Sequence, residues 1–534
     1  MSILKKYNLL ILIVAALLLR SFDISYPVFT PDEARIAYRG FTLASTGEDE
    51  LGRRFPLIFN GAEDFQFPLV SYITSLGVLV FGKSDLGARL PFVLIGVVLV
   101  FLTYKNALFL TGDKKFGYLA SLLVAFSPPL VFLSKVPNET IILTTLISLL
   151  FFSLTREKIN LFLVGLTAVA ALLTSKFALF LIAPVVLVTL LFYGESVKFK
   201  DRIKVFLLTL IFSLVVITVF LQIPQSSRSL MENNFTLFND ITIQNGVNRL
   251  RGQGIESGWP EISGKIFFNK LSIIPVGFLH WLSNISPNVY FGQIDPSGKF
   301  SILGMGAWAK ILIIPFLYGL FILIRRGQEK ILPVLLYIPL LTIPSFLIYP
   351  LLSPQLVVLT LPFMVFVIAL GLSKIKKGWM MLFMTLMILE VLVNFVYKST
   401  DIKNTNNIRP AWVEEIVVDV FNESKTHEVL LSDDLVSDIF PYIGWYSDYM
   451  PSSESAANDF PYRFTERNPE NIILQGYDEE INLCGTRKER TFFLSRKTVK
   501  LMSEKVNIKN LKADYFDNLG GPVVYYLPYE VCLK

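Results

Sequence analysis

The chain has 534 residues, of which 53% are hydrophobic and 17% are charged, and its mean hydropathy is +0.55. This composition excludes a soluble protein and indicates a polytopic membrane protein. The net charge of +6 does not indicate a nucleic-acid partner. The basic residues lie in short loops between apolar segments, where they report membrane orientation.

Cysteine and histidine are both rare in this chain. The two cysteines, Cys484 and Cys532, lie in the polar C-terminal region, where the sequence is compatible with a disulfide and with two free thiols. The two histidines, His280 and His427, form no metal-binding pattern such as HxxxH. Any metal would therefore be held by oxygen ligands.

Eleven apolar segments are long enough, or nearly long enough, to span a membrane. The first follows Lys5 and Lys6 and has no small-residue cleavage site after it, so we interpret it as a retained signal anchor. Basic residues fall in every second gap, which predicts an inside N-terminus and an outside C-terminus. The predicted spans are residues 7–22, 90–104, 116–133, 140–154, 160–174, 177–193, 203–222, 307–324, 331–350, 355–373 and 378–397.

Residues 26–39 follow the first span and carry two acids and two arginines. Thr30, Pro31 and Glu33 form the pattern of a capping box with proline at the first helical position, so Glu33 has a structural interpretation. Asp32 has no capping role in that scheme, and its side chain is free to face the aqueous boundary. The stretch is thus either an ordinary helix start or the catalytic edge of a membrane enzyme.

Residues 67–82 are apolar, but Pro68 interrupts the start of this segment. A span here would also move the basic cluster that begins at Lys105 to the outer face. We therefore expect a juxtamembrane helix lying in the interface. The first outer loop then covers residues 23–89, and its candidate functional residues are Asp32, Glu33, Asp64 and Arg89.

The remaining outer segments differ in length. Residues 134–140 form a tight turn that carries Glu139, and Lys176 lies between two spans with almost no loop. Residues 224–306 form a long polar loop, and a loop of this length between spans usually has a function. Its end contains His280 within an aromatic stretch that is typical of an interfacial helix.

The C-terminal region has the composition of a soluble domain. We assign residues 1–397 to the transmembrane domain, with outer loops 23–89 and 224–306, and residues 398–534 to a small extracytoplasmic α/β domain. Its predicted elements are a helix at 412–421 and strands at 428–432, 471–474, 491–494 and 522–527. The fold class is an α-helical polytopic membrane protein with about 11 transmembrane helices and with interfacial helices in the first outer loop.

The spans contain almost no ionisable residues apart from Glu390, which lies in the last span. Ion-coupled transporters usually bury charges near the bilayer midplane, so this distribution disfavours a transporter. The charges collect instead at the outer ends of the helices. This favours chemistry at the external membrane face on a substrate that the lipid supplies.

Six short motifs occur in a fixed order along the chain. They are TPDEAR at 30–35, DFQFPL at 64–69, FGKSDLGARLP at 81–91, LLTSK at 172–176, HWLSNISP at 280–287 and FG at 291–292. Together they resemble the protein mannosyltransferase and aminoarabinose transferase superfamily, which comprises lipid-phosphate-sugar-dependent glycosyltransferases of the C-type membrane fold. The resemblance covers most of residues 1–397 and does not extend to the C-terminal region.

The resemblance implies a polyprenyl-phosphate-sugar donor and an inverting transfer to an acceptor hydroxyl outside the cytoplasm. The acceptor is a lipid, a polysaccharide or a protein, and membrane lipids surround the enzyme. Asp32 matches the acid of the family's first loop and is the candidate general base, with Glu33 assisting. Cations must stabilise the phosphate leaving group. The substrate-binding candidates are Arg35, Asp64, Arg89, Glu139, Lys176 and His280.

Several of these assignments have structural alternatives. Arg35 and Arg89 are also interpretable as interfacial anchors, Lys176 as a loop charge and Glu139 as a helix-start acid. Relatives commonly carry a lysine just before the proline that corresponds to Pro68, whereas this chain has Phe67 there, preceded by Gln66. The phosphate contact must then come from elsewhere, or the donor differs.

A metal cofactor is also left open by the resemblance. Some relatives bind a divalent ion through acidic residues and others do not. The candidate ligands in this chain are Asp32, Asp64 and Glu139.

Three other functions are compatible with the sequence. An O-antigen ligase or polymerase would depend on loop arginines and on a histidine such as His280. A lipid or sugar transporter would move its substrate without a covalent product and would stay active after Asp32→Asn. A membrane-anchored binding module would have its function wholly within residues 400–534.

Overall fold

The computed structural model of the protein describes most of the chain. The described residues are 2–50, 52–60, 65–156, 159–194, 199–222, 241–260, 262–263, 266, 273–326, 330–347, 351–405, 409, 412–432, 435, 439–447, 472–475, 490–495, 499, 512–516 and 522–527. Both cysteines and the candidate Asp64 lie outside these residues.

Helices form most of the described structure. The first ten are α1 (Ser2–Ser21), α2 (Pro31–Thr46), α3 (Pro68–Phe81), α4 (Asp85–Thr111), α5 (Lys114–Ala125), α6 (Pro128–Leu133), α7 (Glu139–Leu154), α8 (Leu161–Leu172), α9 (Lys176–Tyr193) and α10 (Phe199–Gln222). The later helices are Ile241–Glu256, Ile273–Asn284, Pro287–Phe291, Ile313–Arg326, Tyr337–Thr342, Pro354–Lys374, Lys377–Thr405, Val413–Ser424 and Phe440–Tyr446.

The apolar helices indicate a membrane protein, as predicted. In the described part of the chain, four helices are long and apolar enough to cross a membrane, namely Asp85–Thr111, Lys176–Tyr193, Phe199–Phe220 and Pro354–Lys374. Shorter apolar helices cover Leu9–Ser21, Pro68–Phe81, Glu139–Leu154, Leu161–Leu172 and Leu332–Phe346. The count of eleven spans and the inside position of the N-terminus stay predictions.

Two of the predicted spans are interrupted. The segment 116–133 consists of α5 and α6, because Pro128, which begins α6 shortly after α5 ends at Ala125, cannot continue the hydrogen-bond ladder of α5. The buried guanidinium of Arg20 donates to the carbonyl oxygens of Ala125 (3.1 Å) and Val124 (3.3 Å), which the end of α5 leaves without intrahelical partners. The segment 331–350 likewise divides into short 3₁₀ and α-helical turns between Leu332 and Phe346.

The helix Pro354–Lys374 lies at the centre of the membrane part, and almost all of its side chains are buried. It packs against α5 and α7 on one side and against Ile313–Arg326 on another. A Cβ atom at Gly319 would collide with the backbone of Val367, and one at Gly371 would collide with the backbone of Pro315. These two glycines allow the helix backbones to approach closely, as in other membrane helix pairs.

The first outer loop contains α2, the short antiparallel strands β1 (Phe59–Asn60) and β2 (Phe65–Gln66), and α3. The predicted capping box at the start of α2 is confirmed. The N–H of Glu33 donates to the Thr30 hydroxyl (3.3 Å), and the N–H of Thr30 donates to the Glu33 carboxylate (2.9 Å). The segment after Pro68 is helical as expected, while its position in the membrane interface stays a prediction.

The described C-terminal residues form a five-stranded mixed sheet of order β4-β3-β5-β7-β6. The four predicted strands are confirmed as β3 (Glu428–Ser432), β4 (Ile472–Gln475), β5 (Arg490–Ser495) and β7 (Pro522–Leu527). The fifth strand, β6 (Lys512–Phe516), was not predicted. The predicted helix at 412–421 is Val413–Ser424. The domain boundary at 398 stays a prediction, and Lys377–Thr405 is one helix that crosses it.

A short C-terminal helix, Phe440–Tyr446, packs directly against the start of α2. The Tyr442 hydroxyl donates to the carbonyl oxygen of Phe29 (2.8 Å), and the ring of Trp445 meets the Phe29 ring edge-on. A Cβ atom at Gly444 would lie 2.6 Å from the ring of Tyr38, so glycine is required for this approach. We call Phe440–Tyr446 the brace helix, because it holds the beginning of α2.

Candidate active site

A cavity of about 220 Å³ opens beside the first turn of α2. Four described helices begin at its wall, namely α2, α7, α9 and Pro354–Lys374. The backbone N–H groups at a helix start carry partial positive charge, so this convergence suits an anion. The charged residues that line the cavity are Asp32, Glu33, Arg35, Glu139, Lys176 and Lys299.

Asp32 is the most accessible acid of the α2 start. It occupies the first turn of the helix, and its side chain is 56% exposed. One carboxylate oxygen pairs with the ammonium of Lys299, and the other lies 3.9 Å from the guanidinium of Arg35. Asp32 is thus a carboxylate with free access to the cavity and with cations on both sides.

Glu33 has a different environment, although it is the next residue. Its two carboxylate oxygens accept from the two terminal nitrogens of Arg409, each at 2.6 Å, and one of them also accepts from the N–H of Thr30. The Glu33 side chain is only 7% exposed. Both oxygens are thus engaged within the protein, which supports the structural interpretation of Glu33, while its role as an assisting acid stays a prediction.

Arg409 connects three parts of the site. Besides Glu33, it donates to the carbonyl oxygens of Val28 (2.6 Å) and Lys299 (2.9 Å). Its guanidinium also lies over the ring of Phe132, 5.0 Å from the ring centre. Arg409 therefore fixes the start of α2 relative to the loop that carries Lys299.

That loop is shaped by a buried carboxylate. The side chain of Asp295 accepts from the N–H groups of Ser297 (2.8 Å) and Phe300 (2.6 Å) and from the Ser297 hydroxyl (2.6 Å). Gly298 adopts a positive φ of 75°, which glycine tolerates without strain. The turn presents Lys299 to Asp32 at the cavity.

Glu139 and Lys176 face each other across the cavity wall. Glu139 begins α7 and Lys176 begins α9, and the Glu139 carboxylate interacts with the Lys176 ammonium and with the side chain of Ser175. Asn138 fixes the start of α7, because its side chain accepts from the N–H of Ile141 (3.1 Å). The two predicted residues thus come together with Asp32 and Arg35 around one space.

Arg89 is placed elsewhere. Its guanidinium is fully buried and donates to the carbonyl oxygens of Pro27 (2.7 Å) and Lys135 (3.2 Å), and it lies over the ring of Phe29 at 4.1 Å. Among the described residues, Arg89 is not one of those that line the cavity. These contacts hold the loop before α2, and the assignment of Arg89 as a phosphate ligand stays a prediction.

His280 also lies away from the cavity lining as far as the described residues define it. It is buried in the helix Ile273–Asn284, where its backbone oxygen accepts from the side chain of Asn284 (2.8 Å). Asn284 in turn accepts from the N–H of Ser353 (2.7 Å), which joins this helix to the start of Pro354–Lys374. The structure thus places His280 in packing between helices.

The metal expectation can be tested on the acids that the structure describes. Within the described ranges, no three aspartate, glutamate, histidine or cysteine side chains come together. Asp32 faces Lys299 and Glu139 faces Lys176, so each of these two candidate ligands already has a cationic neighbour, while the third candidate, Asp64, lies outside the described residues. Asp32 and Glu139 alone do not make a site for a divalent ion, and the chemistry proposed below uses none.

Two residues of the site were missed by sequence reasoning. Lys299 had a local signal, since Asp295 and Gly298 before it are typical of a tight turn that presents the next side chain. Arg409 had no local signal, because it lies 376 positions from Glu33 in sequence. Only the folded chain brings the two side chains together.

Comparisons with known proteins agree with this architecture. A family model described as dolichyl-phosphate-mannose-protein mannosyltransferase matches residues 66–221. ArnT from Cupriavidus metallidurans, solved bound to undecaprenyl phosphate, matches with a TM-score of 0.53 and 12% identity, over 97% of this chain and 98% of that one. The chain shares the fold of ArnT. The resemblance that the motifs predicted is thereby confirmed.

A second solved structure is more distant. It is the archaeal oligosaccharyltransferase AglB from Archaeoglobus fulgidus, in complex with an inhibitory peptide and a dolichol-phosphate. It matches with a TM-score of 0.47 and 14% identity, over 86% of this chain and 62% of that one. No curated protein matches the sequence significantly. The family match includes Glu139 and Lys176, whereas Asp32, Lys299 and Arg409 lie outside it.

Proposed function

We propose that this protein is a membrane glycosyltransferase that moves a sugar from a polyprenyl-phosphate carrier to an acceptor hydroxyl, with inversion at the anomeric carbon. The observation that carries the proposal is the cavity itself. It places one accessible carboxylate, Asp32, among three cations, Arg35, Lys176 and Lys299. A base for the acceptor and cations for the leaving group are what sugar transfer from a lipid phosphate needs.

The donor assignment rests on charge and fold together. ArnT, whose fold the chain shares, was solved bound to undecaprenyl phosphate. In this chain, Lys176 and Lys299 and four helix starts supply positive charge at the cavity. A phosphate that carries a long apolar chain can reach such a site from the surrounding lipid. These features support a polyprenyl-phosphate sugar as the donor.

The transfer is a single displacement. The acceptor oxygen forms a bond to the anomeric carbon from the face opposite the phosphate, while Asp32 takes the acceptor's proton. The bond between the anomeric carbon and the phosphate oxygen breaks, and the polyprenyl phosphate leaves with the electron pair. Arg35, Lys176 and Lys299 stabilise the negative charge that develops on the leaving oxygen.

Lys299 has a second role in the proposed mechanism. In the structure its ammonium pairs with the Asp32 carboxylate. A donor phosphate offers this ammonium a competing anionic partner, whose negative charge grows as the polyprenyl phosphate leaves, and that exchange frees the Asp32 carboxylate to accept a proton. Donor binding would thus activate the base, and the acceptor would be engaged only when a donor is present.

The location of the reaction follows from the basic loops. They support an extracytoplasmic position for the first outer loop, and with it for Asp32. The C-terminal region would lie on the same face, since the brace helix contacts α2. The acceptor hydroxyl, on a lipid, a polysaccharide or a protein, would then reach the cavity from outside.

A transfer assay tests the proposal. The purified chain in lipid is given a panel of radiolabelled polyprenyl-phosphate sugars with membrane extracts as acceptors, and wild type is compared with Asp32→Asn. We expect labelled product from at least one donor with wild type and a loss of about 10²- to 10⁴-fold with Asp32→Asn. Asp201→Asn, which changes an exposed carboxylate on α10, is the matched control and should transfer normally. Product without inversion, or full activity in a folded Asp32→Asn protein, would contradict the mechanism.

A further inference from the structure

Gln66 lines the cavity at a place where its amide is held in one orientation. It ends β2, two residues before α3 begins at Pro68. Its side-chain oxygen accepts from the guanidinium of Arg39 (2.7 Å) and from the hydroxyl of Ser71 (3.3 Å). A guanidinium can only donate, so the atom that faces Arg39 must be the amide oxygen. The orientation of the Gln66 amide is therefore determined by its partner.

Arg39 is itself fixed. Its side chain is fully buried and pairs with Glu50 through two nitrogens, at 2.7 Å and 2.6 Å, and its guanidinium lies over the ring of Phe59 at 5.4 Å. The Arg39–Glu50 pair carries no net charge. It therefore orients Gln66 without adding positive charge to the cavity.

The NH₂ group of Gln66 is left as a hydrogen-bond donor. Within the part of the chain that the structure describes, no residue accepts from it, while Gln66 itself lines the cavity. A neutral donor adds little to the attraction of a phosphate that already has Arg35, Lys176 and Lys299. It is better suited to a neutral oxygen, and a site that donates to a hydroxyl discriminates strongly against an analogue without it.

We infer that Gln66 is a specificity-determining residue whose amide N–H donates to a hydroxyl oxygen of the sugar that is transferred. This inference rests on the proposed function and deepens it, because it assigns recognition of the sugar to a residue apart from the phosphate-binding cations. The Arg39–Glu50 pair is the positioning element for this contact. The substrate class that follows is a lipid-linked sugar with a free hydroxyl at the position that Gln66 meets.

The test distinguishes recognition of the sugar from recognition of the phosphate. The full chain in lipid nanodiscs is titrated with undecaprenyl phosphate and with undecaprenyl-phosphate mannose, and the ratio of the two affinities is compared between variants. We expect Gln66→Met to lower the preference for the mannose donor about 3- to 10-fold and to leave undecaprenyl phosphate binding within about twofold. Gln253→Met, on an exposed helix face, should change neither affinity.

A set of monodeoxy mannose donors provides a second readout that a structural role of Gln66 would not affect. The donor that lacks the hydroxyl contacted by Gln66 should bind wild type as weakly as the complete mannose donor binds Gln66→Met. The affinity of that deoxy donor should be the same for wild type and Gln66→Met. A folded Gln66→Met protein that keeps the wild-type ratio, or that still discriminates every deoxy donor, would overturn the inference. Failure of wild type to bind either undecaprenyl ligand would instead contradict the proposed function, so the two failures are distinguishable.

Discussion

The pair of Glu33 and Arg409 allows a quantitative test of how the site is held together. The two side chains are 7% and 1% exposed, and they form two charge-assisted hydrogen bonds of 2.6 Å. Replacing one partner leaves the other charge buried without its counter-ion, which typically costs about 3–5 kcal/mol. Arg409→Met and Glu33→Gln should therefore each lower the free energy of unfolding by about that amount.

The exposed pair of Arg54 and Glu48 provides the matched control. Its side chains are 84% and 26% exposed, and the nearest atoms are 3.0 Å apart. Solvent screens such a pair, so Arg54→Met should cost about 0–1 kcal/mol. The contrast between the two arginine substitutions separates the effect of burial from the loss of a positive charge.

The assay is equilibrium unfolding of the detergent-solubilised chain by SDS, followed by tryptophan fluorescence. The double variant Arg409→Met/Glu33→Gln should cost less than the sum of the single substitutions, with a coupling energy of about 2 kcal/mol, because no unpaired charge is left. A cost of Arg409→Met no larger than that of Arg54→Met, or additive costs in the double variant, would refute the reasoning.

Two further predictions concern the segments around α2. Gly444→Ala places a Cβ 2.6 Å from the Tyr38 ring and should lower the free energy of unfolding by about 1–3 kcal/mol, whereas Gly246→Ala, with open space around it, should be neutral or slightly stabilising in the same SDS-unfolding assay. Burial lowers the pKa of Lys135 from 10.5 to about 8, so between these values the unfolded chain binds a proton that the folded chain does not. The stability of wild type relative to Lys135→Met should therefore rise as pH increases from 8 to 10.5, by at most about 1.4 kcal/mol per pH unit, and a flat difference would contradict this.

The start of α2 was predictable because its information is local. Thr30, Pro31 and Glu33 lie within four residues, and the capping box forms as their spacing indicates. Four of the five strands that the structure describes in the C-terminal region were predicted for the same reason, since runs of β-branched and aromatic residues indicate strands directly. The fifth, Lys512–Phe516, begins with charged and small residues and gave no such signal.

The roles of the charged residues depend on distant partners. Glu33 pairs with Arg409, and Asp32 pairs with Lys299, which is 267 positions away in sequence. Arg89 had the charge of a phosphate ligand, but the fold directs it to the carbonyl oxygens of Pro27 and Lys135. Periodicity and local motifs do not predict such contacts, because the contacts depend on tertiary packing.

The interruptions in the predicted spans were missed for a different reason. A hydropathy window averages over proline, so residues 116–133 were predicted as one segment although Pro128 ends the helix before it. The resulting break matters for the site. The residues after α6 lead directly to Asn138 and Glu139, which line the cavity.

The central claim is that Asp32 takes the proton of the acceptor while other residues hold the donor phosphate. The most direct measurement compares sugar transfer and undecaprenyl phosphate binding for wild type and Asp32→Asn in the same nanodiscs. We expect Asp32→Asn to bind undecaprenyl phosphate at least as tightly as wild type, because the carboxylate that competes for Lys299 is removed, and to form at least about 100-fold less product. Transfer at the wild-type rate, or a loss of transfer that only follows a loss of undecaprenyl phosphate binding, would contradict it.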